Sequence, residues 1–169
     1  MIAPLIVSAL FGPEDFSYLD GLRRAHFPPE RNQISAHLTM FHHLPPSVID
    51  EVERRLADAC AGPAPAATLV EPVNLGRGVA LKVQSEGLLA IRADLASAFD
   101  GMLIPQDCRG WRPHVTIQNK VQPHEARKLL TDMQATWQAR PLHIVGLAGW
   151  WYRGGPWEPA FSRNFRGRR

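Results

Sequence analysis

The sequence predicts an α+β fold with mostly antiparallel strands, built on an internal duplication. Three observations carry this reading. Stretches of strand-like and helix-like periodicity alternate along all 169 residues, with hairpin signals among them. The tetrapeptide His37-Leu38-Thr39-Met40 returns as His114-Val115-Thr116-Ile117. The likeness continues at the same offset: Leu44 matches Val121, and Pro46 matches Pro123, each proline opening a charged, helix-like stretch. In a duplicated fold, two such copies set two histidines and two threonines face to face across a cleft.

Taken in order, residues 2–10 form an apolar run that reads as a buried strand closed by Gly12-Pro13. From Glu14 to His26, Phe16, Leu19, Leu22 and Arg23 recur at helical spacing, and Pro28-Pro29 stops the helix. Ile34 to Phe41 alternates as a strand. Ser47 to Ala61 is a helix with Val48, Val52, Leu56 and Ala59 as its apolar stripe, ended by Gly62-Pro63. Thr68–Val73 and Val79–Val83 form a strand pair, and Gly76-Arg77-Gly78 between them is a turn, too short to cradle phosphates. Leu88 to Phe99 is helical, Trp111 to Asn119 is the strand bearing the second motif, and Pro123 to Trp137 is the helix after it. Leu142–Arg153 and Trp157–Phe165 are strands joined through Gly154-Gly155-Pro156.

Length fits one domain with a real core, or two small lobes sharing one; no linker or low-complexity stretch divides residues 1–169, so a single domain is expected. The net charge of +3 permits an anionic ligand without demanding a nucleic-acid platform. Arg163, Arg166, Arg168 and Arg169 read as a solvated tail. Cys60 and Cys108 stand apart, without metal spacing or a disulfide framework, which fits reduced thiols in a cytoplasmic protein. The short apolar N-terminal run lacks a basic leader and reads as a strand, and no apolar stretch has the length of a membrane span. A cytoplasmic monomer is the expectation.

The motifs gain meaning from strand geometry. Side chains two apart on a strand share a face, so His37 and Thr39 point one way while Leu38 and Met40 point to the core. His114 and Thr116 repeat the arrangement, with Val115 and Ile117 behind them. Extending the same parity adds Ser35 and Phe41 to the first polar face, and Arg112 and Gln118 to the second. Phe41 then has two readings, a stacking surface for a base or plain core. Arg112 has two as well, a phosphate contact or a residue that closes the strand edge.

These residues resemble the two-histidine (2H) phosphoesterases, which include bacterial 2′-5′ RNA ligase-like proteins and cyclic phosphodiesterases. The resemblance rests on Ala36-His37-Leu38-Thr39-Met40-Phe41 and Pro113-His114-Val115-Thr116-Ile117, with the proline before the second histidine. It extends to the C-terminal stretch 146–158, which is similar to the closing hairpin of bacterial members. The sequence departs from the family at His42-His43, where many relatives carry a Phe-Leu-Gly type turn. The resemblance implies a bilobal fold with pseudo-two-fold symmetry, two sheets flanked by helices, and a central cleft holding both motifs. It further implies hydrolysis or transesterification of a phosphodiester without metal or other cofactor, on RNA ends or small cyclic-phosphate nucleotides. His37 and His114 are then the general acid and base, with Thr39 and Thr116 binding the phosphate oxygens. Histidine suits the task, because its unperturbed pKa near neutrality lets one ring be protonated and the other neutral.

Three rival readings are weaker, one of them a purely structural duplication whose polar pairs satisfy each other in the core. A zinc site would gather His37, His42, His43 and His114, but the adjacent His42 and His43 diverge on a strand, and no carboxylate or cysteine stands at ligand spacing. A non-catalytic RNA- or nucleotide-binding module would show the same motifs, yet it has no need of two complete His-x-Thr sets. His26, His124 and His143 read as structural or solvated. The substrate itself is set by rim loops, around 74–78, 105–112 and 153–157, where pattern arguments have no hold.

Overall fold

The computed structural model describes residues 3–167, so Ile2 of the first expected strand and Arg168 and Arg169 of the tail lie outside the described residues. Among the described residues, seven strands run β1 (Leu5–Phe11), β2 (Leu38–Leu44), β3 (Ala66–Asn74), β4 (Val79–Gln84), β5 (His114–Gln118), β6 (Arg140–Trp151) and β7 (Glu158–Asn164). Every strand pairing between them is antiparallel. The described residues also form five α-helices: α1 (Pro13–His26), α2 (Ile49–Cys60), α3 (Glu86–Ala98), the short α4 (Pro105–Cys108) and α5 (Pro123–Thr136).

The helix starts follow from local chemistry. Pro13, Pro105 and Pro123 sit at first-turn positions, where the missing N–H costs nothing. Ser85 caps α3, its hydroxyl accepting from the Leu88 N–H at 3.2 Å. Gln122 and Glu125 form a reciprocal capping box on α5. On α2, Val52, Leu56 and Cys60 recur every fourth residue and are buried.

Strand β6 holds the two lobes together. Its first residues pair with β3, from Leu69↔Arg140 to Ala66↔His143, and from Ile144 onward it pairs with β1. Its C-terminal half also pairs with β7 on the other side. One half-sheet is therefore β2-β1-β6-β7, and the other is β6-β3-β4-β5. The two expected sheets share this strand and form one seven-stranded sheet, a continuous path β2-β1-β6-β3-β4-β5 with β7 branching from β6. β2 and β5, the motif strands, end that path at opposite edges. One contiguous apolar core runs beneath both halves, from Leu5, Val7 and Leu56 to Leu81, Val115 and Ile117.

Helices α1 and α3 exchange lobes. α1 precedes β2, yet its buried Arg23 donates from Nη1 to the Thr116 carbonyl on β5 at 2.9 Å. α3 precedes β5, yet its buried Arg92 donates from Nε to the Met40 carbonyl on β2 at 3.0 Å. Each guanidinium also lies over an aromatic ring, Arg23 on Phe27 and Arg92 on Phe41, 4.2 and 4.1 Å from the centroids. Each half thus anchors the motif strand of the other.

Two element boundaries differ from the sequence reading in a way that matters for the site. The strand expected at Ile34–Phe41 is β2, Leu38–Leu44, because pairing with β1 begins only at Ala9↔Leu38. Residues 34–37 instead lead in across α1, where the Asp20 carboxylate accepts the Ala36 N–H at 2.9 Å. The strand expected at Trp111–Asn119 is shorter, with 111–113 in the preceding loop.

Candidate active site

Each motif strand is kinked immediately after its threonine. Against β1, the register runs Ala9↔Leu38 and Ser8↔Thr39 but then Val7↔Phe41, so β2 carries one extra residue between Thr39 and Phe41. Against β4, β5 runs Ala80↔Thr116 and then Val79↔Gln118, with the same extra residue at the equivalent place. A bulge of this kind turns two successive side chains toward one side of the sheet. Met40 and Phe41 are accordingly both fully buried, and Ile117 and Gln118 are both buried, Gln118 at 7% exposure.

These bulges correct the extended parity. Phe41 has no exposed surface and packs under Arg92, so it is core and not a stacking surface for a base. Gln118 is turned inward beside it in the repeat, and its Oε1 has no hydrogen-bond partner. The parity that fails beyond the bulge holds up to it: His37, Thr39, His114 and Thr116 line one cleft of about 340 Å³. Arg112, exposed, lines the same cleft next to His114.

The two histidines are held alike. His37 Nδ1 lies 2.8 Å from the Ser35 carbonyl, and His114 Nδ1 lies 2.8 Å from the Arg112 carbonyl, each two residues back. A carbonyl only accepts, so both Nδ1 atoms carry the hydrogen and both Nε2 atoms are left for the cleft. The lead-in of residues 34–37 and the loop of 111–113 supply these carbonyls, which a strand would have spent on its neighbour. Trp111 of that loop donates its indole N–H to the Thr39 carbonyl at 3.1 Å, linking the second motif's approach to the first motif's strand.

The environments differ. Burial lowers the His37 pKa from 6.5 to about 4, and nearby Arg23, His114 and His42 push it the same way, against the Ser35 hydrogen bond. The Trp157 ring covers His37, with centroids 4.6 Å apart. His37 is therefore a neutral imidazole at physiological pH.

Several residues of the cleft were not singled out as site residues by sequence reasoning. His42 lines it in place of Phe41, brought round by the bulge. Its Nδ1 lies 2.9 Å from Oδ1 of Asp107, whose carboxylate also accepts the backbone N–H groups of His42 and His43. Burial raises the Asp107 pKa, but these donors outweigh it and hold the carboxyl below its ordinary value. Arg92, Gln106, Arg109 and Trp157 also line it, with Gly110 and Trp111. Asp107 and Arg109 belong to the 105–112 rim and Trp157 to the 153–157 rim, so position along the chain was their only sequence signal. The possible zinc ligands do not assemble: among the described residues no three His, Cys, Asp or Glu side chains are grouped to hold a metal ion. His143, read as structural or solvated, pairs with Asp15 at 3.0 Å on β6.

Comparison with known proteins gives the family of the chain. The family model of the 2′-5′ RNA ligase superfamily matches residues 11–156, which include both motifs and all but the last residues of the cleft wall. The chain belongs to the 2′-5′ RNA ligase superfamily. This superfamily member is similar in structure to TT0787 of Thermus thermophilus, at TM-score 0.67 and 16% identity over 98% of this chain and 100% of that one. It is also similar to E. coli LigT solved with 3′-AMP, at TM-score 0.60 and 17% identity over 98% and 99%. A third likeness is to a phosphoesterase, at TM-score 0.58 and 17% identity over 98% and 99%. No curated protein sequence matches the chain. The superfamily's α+β fold and its phosphoesterase and ligase type of chemistry thus extend to this protein, and among the described residues no helix is long and apolar enough to cross a membrane.

Proposed function

We propose that this superfamily member is a metal-independent phosphodiesterase, acting by cyclic phosphodiester hydrolysis or reversible 2′-5′ RNA ligation. His37 and His114 are its acid–base pair, and Thr39 and Thr116 are its phosphate binders. The observation that carries the proposal is the matched tautomer: two imidazoles on one cleft, each with Nδ1 tied to a backbone carbonyl and Nε2 left for a ligand, each beside the threonine of its own motif.

In the hydrolytic direction, neutral His37 takes a proton from the attacking water or hydroxyl through Nε2 as the new P–O bond forms. His114 gives a proton from Nε2 to the departing ribose oxygen as the old P–O bond breaks. The threonine hydroxyls donate to the non-bridging oxygens, where negative charge builds in the transition state. In the ligation direction the two rings exchange roles. Both proton transfers are thereby covered by side chains. An apolar pocket of about 370 Å³ with Phe11, Phe16 and Trp150 adjoins the His37 side, and a larger one of about 750 Å³ adjoins the His114 side. These flanks support a phosphate centred between two bulky groups, and LigT with 3′-AMP supports a nucleotide.

The test is a panel of 2′,3′-cyclic nucleotides and 2′-5′ linked oligonucleotides, with the position of the product phosphate identified. We expect turnover, and a loss of roughly 10²–10⁴-fold in kcat for each of His37→Ala and His114→Ala. Binding without turnover in the unmutated protein would instead establish a nucleotide-binding module.

A further inference from the structure

A phosphodiester carries one negative charge, and the two His-x-Thr sets already provide two hydroxyls and two imidazoles to meet it. The same cleft wall presents three more groups able to carry positive charge: His42, Arg109 and Arg112. Its other arginine, Arg92, is committed, with Nε on the Met40 carbonyl and Nη2 on the Asp107 carbonyl at 2.7 Å. Among the described residues, the guanidinium groups of Arg109 and Arg112 make neither hydrogen bond nor ion pair. The carboxylate in the lining is that of Asp107, 2% exposed and occupied by the His42 and His43 backbone N–H groups and the His42 ring.

His42 differs from the catalytic pair in what backs it. Their Nδ1 atoms meet neutral carbonyls, whereas His42 Nδ1 meets a buried carboxylate. Its side chain is 41% exposed, and with Nδ1 turned to Asp107 its Nε2 is the ring nitrogen left for a ligand. An anion bound at Nε2 places the ring between two negative charges, the arrangement in which an imidazolium makes two charge-assisted hydrogen bonds.

We infer that His42, backed by Asp107, forms with Arg109 a second anion subsite beside the scissile phosphate. The substrate class is then a nucleotide carrying a further phosphate in addition to the reacting phosphodiester. Asp107 is a positioning residue here, because it orients the ring and anchors the β2 backbone without reaching the ligand. The inference rests on the proposed function for the identity of the scissile phosphate, but its test is one of binding and does not need turnover.

The test compares the affinities of adenosine 3′,5′-bisphosphate and adenosine 3′-monophosphate by calorimetry, at fixed ionic strength, for the full chain and for His42→Ala and His42→Gln. One charge-assisted hydrogen bond corresponds to about tenfold or more in affinity. The unmutated protein should therefore prefer the bisphosphate by at least about tenfold. Both variants should lose most of that preference, with unchanged far-ultraviolet circular dichroism confirming their fold. Equal affinities in the unmutated protein, or a preference that both variants retain, would overturn the subsite. Failure of the catalytic reading would appear separately, as absence of turnover with the bisphosphate preference intact.

Discussion

His37 and His114 occupy equivalent places in the repeat but unequal surroundings, and the inequality bears on the roles proposed for them. Desolvation of the ring, which Trp157 covers, lowers the His37 pKa to about 4, with nearby Arg23 acting in the same sense, and this suits it to accept the proton in the proposed reaction. On the acid side, kcat/KM should fall with a limb near pH 4 and not near 6.5, as long as chemistry limits the rate. Binding of inorganic phosphate beside the ring should raise that value, and histidine NMR titration with and without phosphate measures both effects; a limb and a titration near 6.5 would remove the assignment. Stability has the same sign. Between about 6.5 and about 4 the unfolded chain binds a proton that folded His37 refuses, so stability is greatest above this window and falls as pH drops through it. The sequence was explicit about the identity and spacing of these two rings. It was silent on their difference, because the distant Trp157 and Arg23 set that environment.

At the scale of the element, the decisive features are the paired bulges. A bulge is a mismatch between two strands, so it is invisible in the alternation of one strand alone. Strict alternation therefore placed Phe41 and Gln118 on the cleft and overlooked His42. The β5 bulge depends on Gly78, since a Cβ there would lie 1.9 Å from the Gln118 carbonyl oxygen. Gly78→Ala should force β5 away from β4, costing about 1–3 kcal/mol by urea denaturation and lowering kcat with it. Full stability and activity in that variant would mean the close approach has no bearing on the motif. The lobe-crossing arginines are partly legible. Leu19 and Arg23 on α1 and Leu88 and Arg92 on α3 share a four-residue spacing, and in each helix the arginine falls within the buried stripe. A charge inside an apolar stripe signals a specific buried acceptor, but which strand supplies it is a matter of tertiary packing.

At the scale of the whole molecule, β6 and the exchanged helices bind the halves into one unit. β6 shares hydrogen bonds with both half-sheets, the core is contiguous beneath them, and Arg23 and Arg92 each cross to the opposite motif strand. Both halves should consequently unfold in a single transition, with tryptophan fluorescence and circular dichroism coinciding in urea; two separated transitions would show that the lobes are independent. This coupling also bears on function, because each cleft wall is held by a helix from the other half. The sequence by itself determined the duplicated motif, the order of the strands and of the four long helices, and the side of each motif on which histidine and threonine lie, since these depend on local periodicity and on residue chemistry, whereas the short α4 was not legible. Only the tertiary structure decided that the strands bulge after their threonines, that His42 faces the cleft backed by Asp107, and that Trp157 covers His37, whose pKa is lowered. Those outcomes arise from register between strands and from burial by remote side chains, and neither is written in any one segment of the chain.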